Sequence, residues 1–297
     1  MKKPENLEQH ELVDVLRERP ITLYEEKRVI TAAELKDFFP GKKVFACDFY
    51  VSGIEKNSKE IEGGFEMDGL ANIDHHAPIE KMTRQVTSTD MAIEYVKKYG
   101  PISNAENSAV VVNHTDCDSV LSSAIMRGII PPEDRFSVAA LAVDHTGEAE
   151  GVAELLQAFK DKRDLEFSIR NLDLFLQNKT LEPEAEELLA KRKNDRERAA
   201  QIIESGSVNR VGHVVYIETS ERIEAGLFAP LIPDAIVFVV SIPMKNKPGF
   251  FETKVRLGAA APEGFTLRDL NMDEIDPNYG GRWNAGNNKR GGGTETP

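Results

Sequence analysis

Four apolar segments of this chain stop on an acid or a histidine. KKVFAC runs into Asp48, GLANI into Asp74-His75-His76, Val110–Val112 into the turn bearing His114, Asp116 and Asp118, and EDRFSVAALAV into Asp144-His145. Short apolar or β-branched runs that end in a polar turn read as buried strands. Here they alternate with helical patterns, and that alternation predicts an α/β fold with a mostly parallel sheet in the first domain. In open α/β sheets ligands bind beyond the carboxyl ends of the strands. Acids at several strand ends are therefore expected to converge on one crevice.

Local signals support the alternation. ITLYEEKRVITAAELKDFFPG reads as a short strand and then a helix, with Thr31 and Glu34 at capping-box spacing and Pro40-Gly41 as the stop. Residues 42–50 read as a strand, followed by a looser Gly/Glu/Asn loop. DMAIEYVKKYG is an amphipathic helix closed by Gly100, and a small-residue helix is expected from near Ser119. Residues 133–148 read as a helix ending near Asp144, with further helices at about 149–160 and 162–178. LEPEAEELLAKRKNDRERAAQIIESG has helical spacing and is strongly charged, as a solvated linker helix would be. Strands are expected again from residue 211, with FTLRDL a short helix whose Thr266 and Asp269 lie at capping distance. The expected organisation is a catalytic domain over 1–180, a linker helix over 181–206 and a smaller mixed α/β domain over 207–297, with the functional site in a cleft between the two lobes.

Charge narrows the ligand. The formal net charge is −13, which excludes the basic footprint of a long-duplex binder. Residues 241–297 carry eight Lys/Arg against seven Asp/Glu, which leaves −14 on residues 1–240. An acidic body with a locally basic tail suits a small or terminal phosphate better than a nucleic-acid track. An acidic site repels phosphate unless cations invert its field. No run approaches the ~18 apolar residues of a membrane span. The N-terminus lacks the apolar core of a signal peptide, so the cytosol is the expected compartment. Two cysteines, Cys47 and Cys117, make no disulfide framework and read as small buried residues.

Converging carboxylates repel, and burying them unpaired costs several kcal/mol each. Divalent cations remove that cost. Mixed Asp and His donors suit Mn²⁺, Fe²⁺, Co²⁺ or Zn²⁺ better than Ca²⁺. In NHTDCDS, His114, Asp116 and Asp118 alternate, so an extended backbone points them to one side. Two carboxylates at that spacing can serve two metals ~3.5–4 Å apart, as in dinuclear hydrolytic sites. Capping of the next helix by Asp118 or Ser119 is the alternative, and it explains one residue of the set.

These residues resemble the DHH phosphoesterase superfamily, which includes single-strand exonucleases, oligoribonucleases, cyclic-dinucleotide phosphodiesterases and family II pyrophosphatases. Its four metal motifs are an H-x-N-x-D-x-D turn, a strand-end Asp, the DHH triplet about 25 residues later, and an Asp further on. Asp48 precedes Asp74 by 26 residues, and Asp144 follows it by 70. HTDCDSVLSSA resembles the first motif but comes after DHH, so the order resembles a permuted member. The resemblance spans about residues 42–150. Val112 stands where the family has its first-motif His, and His114 where it has Asn.

The resemblance implies two divalent cations, manganese first among them, and no organic cofactor. It implies that Asp48 bridges the metals, that Asp116 binds one, and that Asp118, His75 and Asp144 bind the other. His76 would contact the scissile phosphate, Asp74 would orient a histidine, and His114 would either ligate a metal or orient water or phosphate. YGGRWNAGNNKRGGG resembles the family's C-terminal Gly-Gly-His-x-x-Ala-Gly motif, with Arg282 in place of the His. Gly280, Gly281, Arg282, Trp283, Asn284, Lys289 and Arg290 would then hold the substrate's phosphate or terminal nucleotide. Glycines admit backbone N–H groups to phosphate, arginines fork onto it, and Trp283 offers a stacking face. A tail without structure is the alternative there.

The implied activity is hydrolysis of phosphodiester or phosphomonoester bonds in short oligonucleotides or nucleotides, by a water activated between two metals. An Mn²⁺-dependent inorganic pyrophosphatase and a non-catalytic nucleotide or metal sensor are the alternatives. No membrane and no long duplex is expected as a partner; a homodimer is compatible with the sequence.

Overall fold

The computed structural model describes residues 9–24, 29–54, 58–76, 86–206, 208–244, 246–289 and 291–295. The chain divides into two units. The first takes its described residues up to 190, apart from 144–148; the second takes 144–148 and the residues from 191 on.

In chain order the first unit contains α1 (Gln9–Glu18), β1 (Ile21–Leu23), β2 (Ile30–Thr31), α2 (Ala32–Phe38), β3 (Lys43–Cys47), β4 (Val51–Ser52), β5 (Lys59–Ile61), β6 (Gly64–Met67), β7 (Leu70–Ile73), α3 (Ser88–Tyr99), β8 (Ser108–Val112), α4 (Cys117–Arg127), α5 (Asp134–Leu141), α6 (Gly151–Phe159) and α7 (Leu165–Leu176). A π-helical turn, Ala142–Thr146, continues α5. Helix α8 (Pro183–Glu204) runs through the division between the units.

Six strands form the first sheet in the order β1-β8-β3-β7-β6-β5. The first four are parallel, and β6 and β5 add an antiparallel hairpin at the edge, so the sheet is mixed. The residues read as a loose loop after Asp48 supply that hairpin. Both faces of the central strands are covered. Phe45, Cys47, Ala71, Ile73, Val110 and Val112 pack with α3, α4 and the helices beyond. Val44, Ala46, Leu70, Ala109 and Val111 pack on the other side with Leu35, Phe49 and Val51. Burial on both faces explains why these strands read as continuous apolar runs.

Arg127, the last residue of α4, is 1% exposed. Its guanidinium donates to the carbonyl oxygens of Pro20, Ile102 and Ser108 and to Ser108 Oγ, at 3.0–3.3 Å. It ties α4 to the residues leading into β1 and to the start of β8, at the end of the sheet opposite the strand-end acids. Burial holds its pKa below the usual guanidinium value.

The second unit contains β9 (Val208–Val211), β10 (Val214–Glu218), β11 (Val237–Pro243), β12 (Phe251–Leu257), α9 (Met272–Ile275), β13 (Gly280–Gly281) and β14 (Ala285–Asn287). Its sheet runs β13-β14-β12-β11-β10-β9; β10 and β11 are parallel and the other pairs antiparallel. Val215, Ile217, Phe238, Val240 and Ile242 form its main core with a 3₁₀ helix, Ala225–Leu231, and Ala199 and Ile202 of α8. The Gly-rich segment thus forms two paired strands. Among the described residues no helix is long and apolar enough to cross a membrane.

Gly63, at the turn of the β5–β6 hairpin, seats against α3. Its φ is +76°, and a Cβ there would stand 2.0 Å from the carbonyl oxygen of Met91. Gly63→Ala is expected to cost about 2 kcal/mol or more, from the left-handed backbone and the displaced contact. Urea denaturation measures this; wild-type stability would show that the hairpin does not bear on α3.

Candidate metal centre

The order β8-β3-β7 puts three strand ends side by side, with neighbours ~4.8 Å apart. Asp48 follows β3 immediately, with φ +60°, a left-handed conformation that Asp tolerates better than most residues. Asn72 of β7 pins this turn. Its Nδ2 donates to the carbonyl oxygens of Ala46 and Phe49, and its Oδ1 accepts from Val51 N–H. Asp74, His75 and His76 follow β7. His114 follows β8, and Asp116 is the N-cap of α4, its carboxylate accepting from Ser119 N–H. Asp118 therefore lies in the first turn of α4 and is not its cap.

Asp48, Asp74, His75 and Asp118 are each at most 2% exposed. His75 Nδ1 lies 2.7 Å from Val86 O. A carbonyl has no proton to give, so Nδ1 carries it, which leaves Nε2 as the donor for a metal. Nε2 stands 3.5 Å from Asp48 Oδ1 and 3.6 Å from Asp118 Oδ2. His114 Nε2 stands 3.2 Å from Asp48 Oδ2 and 3.3 Å from Asp116 Oδ2, while its Nδ1 faces Asn113 Oδ1 at 2.6 Å. Two donor sets in this unit thus share Asp48: Asp48–His75–His76 and Asp48–His114–Asp116, the atoms of each within 4.8 Å of one another. Mixed carboxylate and imidazole donors at this separation fit divalent transition metals.

His76 Nδ1 lies 2.7 Å from Asp74 Oδ1 and 3.5 Å from Asp48 Oδ1. Burial pushes the Asp74 pKa up, but the adjacent His76 and then His75 outweigh it, and the net displacement is downward. Asp74 Oδ2 is buried with no hydrogen-bond partner among the described residues. For His114, burial acts to lower the pKa; Asp116 and Asp48 overcome it and raise it well above the ordinary value. Burial drives the Cys47 thiol far up, which makes it an inert core group.

The residues that hold these acids in place were not read as functional from the sequence. Asp118 accepts three short hydrogen bonds from the first turn of α3: Ser88 N at 2.8 Å, Thr89 N at 2.7 Å and Thr89 Oγ1 at 2.6 Å. A helix N-terminus stabilises negative charge through such N–H groups. Ser88 Oγ donates to Asp48 Oδ1, and Ser119 Oγ reaches both Asp48 Oδ2 and Asp116 Oδ1, at 2.7–3.0 Å. The signal was present in TSTD, where Thr87 and Asp90 form a capping box.

Asp144 lies on the π-helical turn and is 7% exposed. In the second unit, Arg282 Nη2 approaches Asp144 Oδ2 at 3.4 Å, and Arg256 donates to the Asp144 carbonyl at 2.7 Å. His145 and Trp283 face each other at 5.9 Å with planes 34° apart, and Asn284 Nδ2 lies 3.2 Å from His145 Nδ1. Asn284 Oδ1 is buried with no hydrogen-bond partner among the described residues. The glycines divide in purpose. A Cβ on Gly281 would stand 2.3 Å from Gly286 Cα, so the β13–β14 hairpin itself demands glycine there; Gly280 meets nothing within 4 Å. Lys289 is exposed, and Arg290 lies outside the described residues.

No protein-family model and no curated protein matches the chain. Solved structures that are similar include the pGpG-specific phosphodiesterase PggH from Vibrio cholerae, at 10% identity and TM-score 0.43, covering 67% of this chain and 89% of that one. RecJ from Thermus thermophilus in complex with Mg²⁺ is similar at 16% identity and TM-score 0.32, covering 67% and 31%. An exonuclease RecJ bound to manganese is similar at 13% identity and TM-score 0.40, covering 89% and 75%. All three of these TM-scores lie below 0.5.

Thr89→Val removes one hydrogen bond to a buried carboxylate, a bond worth ~1.5–3 kcal/mol. Mn²⁺ affinity by titration calorimetry is expected to fall about tenfold or more. Wild-type affinity would show that Asp118 needs no such support.

Proposed function

We propose that this chain is a metal-dependent phosphoesterase that hydrolyses phosphodiester or phosphomonoester bonds of short oligonucleotides or nucleotides. The observation that carries this reading is the pair of donor sets that share the buried Asp48. Asp48 would bridge two divalent cations, most suitably Mn²⁺. His114 and Asp116 would hold one of them, and His75 and Asp118 the other. Asp144 joins the second group on the ground of its spacing from Asp74 in sequence. When bound, the cations would acidify water and offset charge on the phosphoryl oxygens.

The protein's own groups have separate tasks in this reading. His76, aligned by Asp74, would contact the scissile phosphate. The first turn of α3 keeps Asp118 in place, and Ser88 and Ser119 keep Asp48 in place, so the donors are set before any ligand arrives. Arg282 would receive a substrate phosphate, with Gly280, Gly281, Asn284, Lys289 and Arg290 around it, and Trp283 would offer a stacking surface. Residues 1–180 would act as the catalytic domain, 181–206 as a linker helix and 207–297 as the substrate-binding domain.

A substrate panel with Mn²⁺ tests the reading: bis-p-nitrophenyl phosphate, a 5′-phosphorylated dinucleotide, 3′-phosphoadenosine 5′-phosphate, a cyclic dinucleotide and pyrophosphate. Release from an ester and little from pyrophosphate is expected. Asp48→Ala should lower turnover at least a thousandfold, about 4 kcal/mol of barrier, while circular dichroism shows a folded chain. Chelation of the wild type should give the same loss, reversed by added Mn²⁺. Pyrophosphate as the sole substrate, tight nucleotide binding without hydrolysis, or full activity in Asp48→Ala would each overturn it.

A further inference from the structure

The second sheet carries a group of cations away from Arg282. Glu252 of β12 is only 3% exposed, an uncommon place for a carboxylate. Around it stand Lys254 Nζ at 3.4 Å from Oε1, and Arg222 Nη2 and Lys289 Nζ each at 3.8 Å from Oε2. Arg222 comes from the loop after β10, Lys254 from β12 and Lys289 from the turn after β14. Three cations and one anion leave an excess of two positive charges. Each ammonium brings three donors and the guanidinium five, against about four lone-pair sites on the carboxylate. The separations exceed ordinary hydrogen-bond lengths, so the pairing is electrostatic and loose.

Stability alone does not account for this arrangement. Exposed ion pairs contribute ~0–1 kcal/mol each, and a buried carboxylate costs more than an apolar residue of its size would. The arrangement does hold three mutually repelling cations together at the surface. The side chains of Arg222, Lys254 and Lys289 are 48%, 28% and 61% exposed, so an anion in solution can reach them.

Position along β12 connects this group to Arg282. Alternate residues of a strand share a face and lie ~6.6–6.8 Å apart, so Lys254 and Arg256 stand one such step from each other. Arg256 and Arg282 both engage Asp144. The strand therefore carries two basic residues in succession, and their backbone spacing matches the step between neighbouring phosphates of an extended nucleotide chain. The two phosphorus atoms of pyrophosphate, joined through one oxygen, are closer together than that step.

We propose that Arg222, Lys254 and Lys289, gathered around Glu252, form a second anion subsite that takes the phosphate neighbouring the one held at Arg282. This rests on the phosphoesterase reading and narrows its substrate class to linear chains with at least two phosphates. It also separates Lys289 from Arg282: the two serve different phosphates.

The test is binding to the metal-free full-length protein, where no turnover intervenes, with fluorescently labelled pApA and AMP as probes. The wild type should prefer pApA over AMP by at least tenfold. Arg222→Gln/Lys254→Gln should bring that preference below threefold and make the dependence of log K on log[salt] shallower by about one. Arg222→Gln alone, at an exposed position, should lower it about threefold and guards against a folding defect in the double variant. A wild type with no preference, or variants that keep it, would overturn the subsite. Failure of the wider reading shows separately, as absent Mn²⁺-dependent hydrolysis of bis-p-nitrophenyl phosphate.

Discussion

Four carboxylates, Asp48, Asp74, Asp116 and Asp118, gather at and just beyond the ends of parallel strands and repel one another, and the first unit is organised around holding them there. The repulsion is met by donors on helices beside the sheet. The two backbone N–H groups that open α3 and the hydroxyl of Thr89 converge on Asp118, and Ser88 and Ser119 supply hydroxyls to Asp48. Three imidazoles complete the arrangement. His75 is fixed by Val86 O, His76 by Asp74 and His114 by Asn113. The result is a donor array whose orientation is set by protein hydrogen bonds, as expected where geometry has to exist before the ligand binds.

Strand order, and not chain order, places these groups. β8 is the last strand of the first sheet in sequence, yet it sits between β1 and β3. That position brings the HTDCDS turn beside Asp48 and makes Asp48, on the central strand of the three, common to both donor sets. Arg127 secures the far end of the same strands through carbonyl groups and one hydroxyl, with no acid among its hydrogen-bond partners in the described residues.

Asp48 and the Asp74-His75-His76 triplet were legible in the sequence because the apolar runs of β3 and β7 stop directly on them. The caps at Thr31 and Thr266 were legible for the same local reason. The supports of the acids were harder to see. Ser88 and Thr89 look like ordinary helix-start residues, and only tertiary packing turns their N–H groups toward a residue about 30 positions away. The β5–β6 hairpin was hidden because its strands are three and four residues long and meet at Gly63-Gly64, a pair that reads as loop. The helix expected through Asp144 changes to a π turn there, a detail that helical periodicity does not report. The glycines of GGRWNAG suggested room for a phosphate, but Gly281 and Gly286 are needed by their own hairpin and by Tyr279.

The attachment of Asp118 to the first turn of α3 has a consequence for behaviour on heating. Helix ends that face solvent lose backbone order before the core yields. This one does not face solvent: Thr87, Ser88, Thr89 and Asp118 are all fully buried, and a capping box closes the turn. The carboxylate is therefore anchored to the core itself, and its orientation is expected to last as long as the packing of α3 on the sheet. On heating, any affinity of the donor array for cations should disappear together with tertiary structure and not ahead of it.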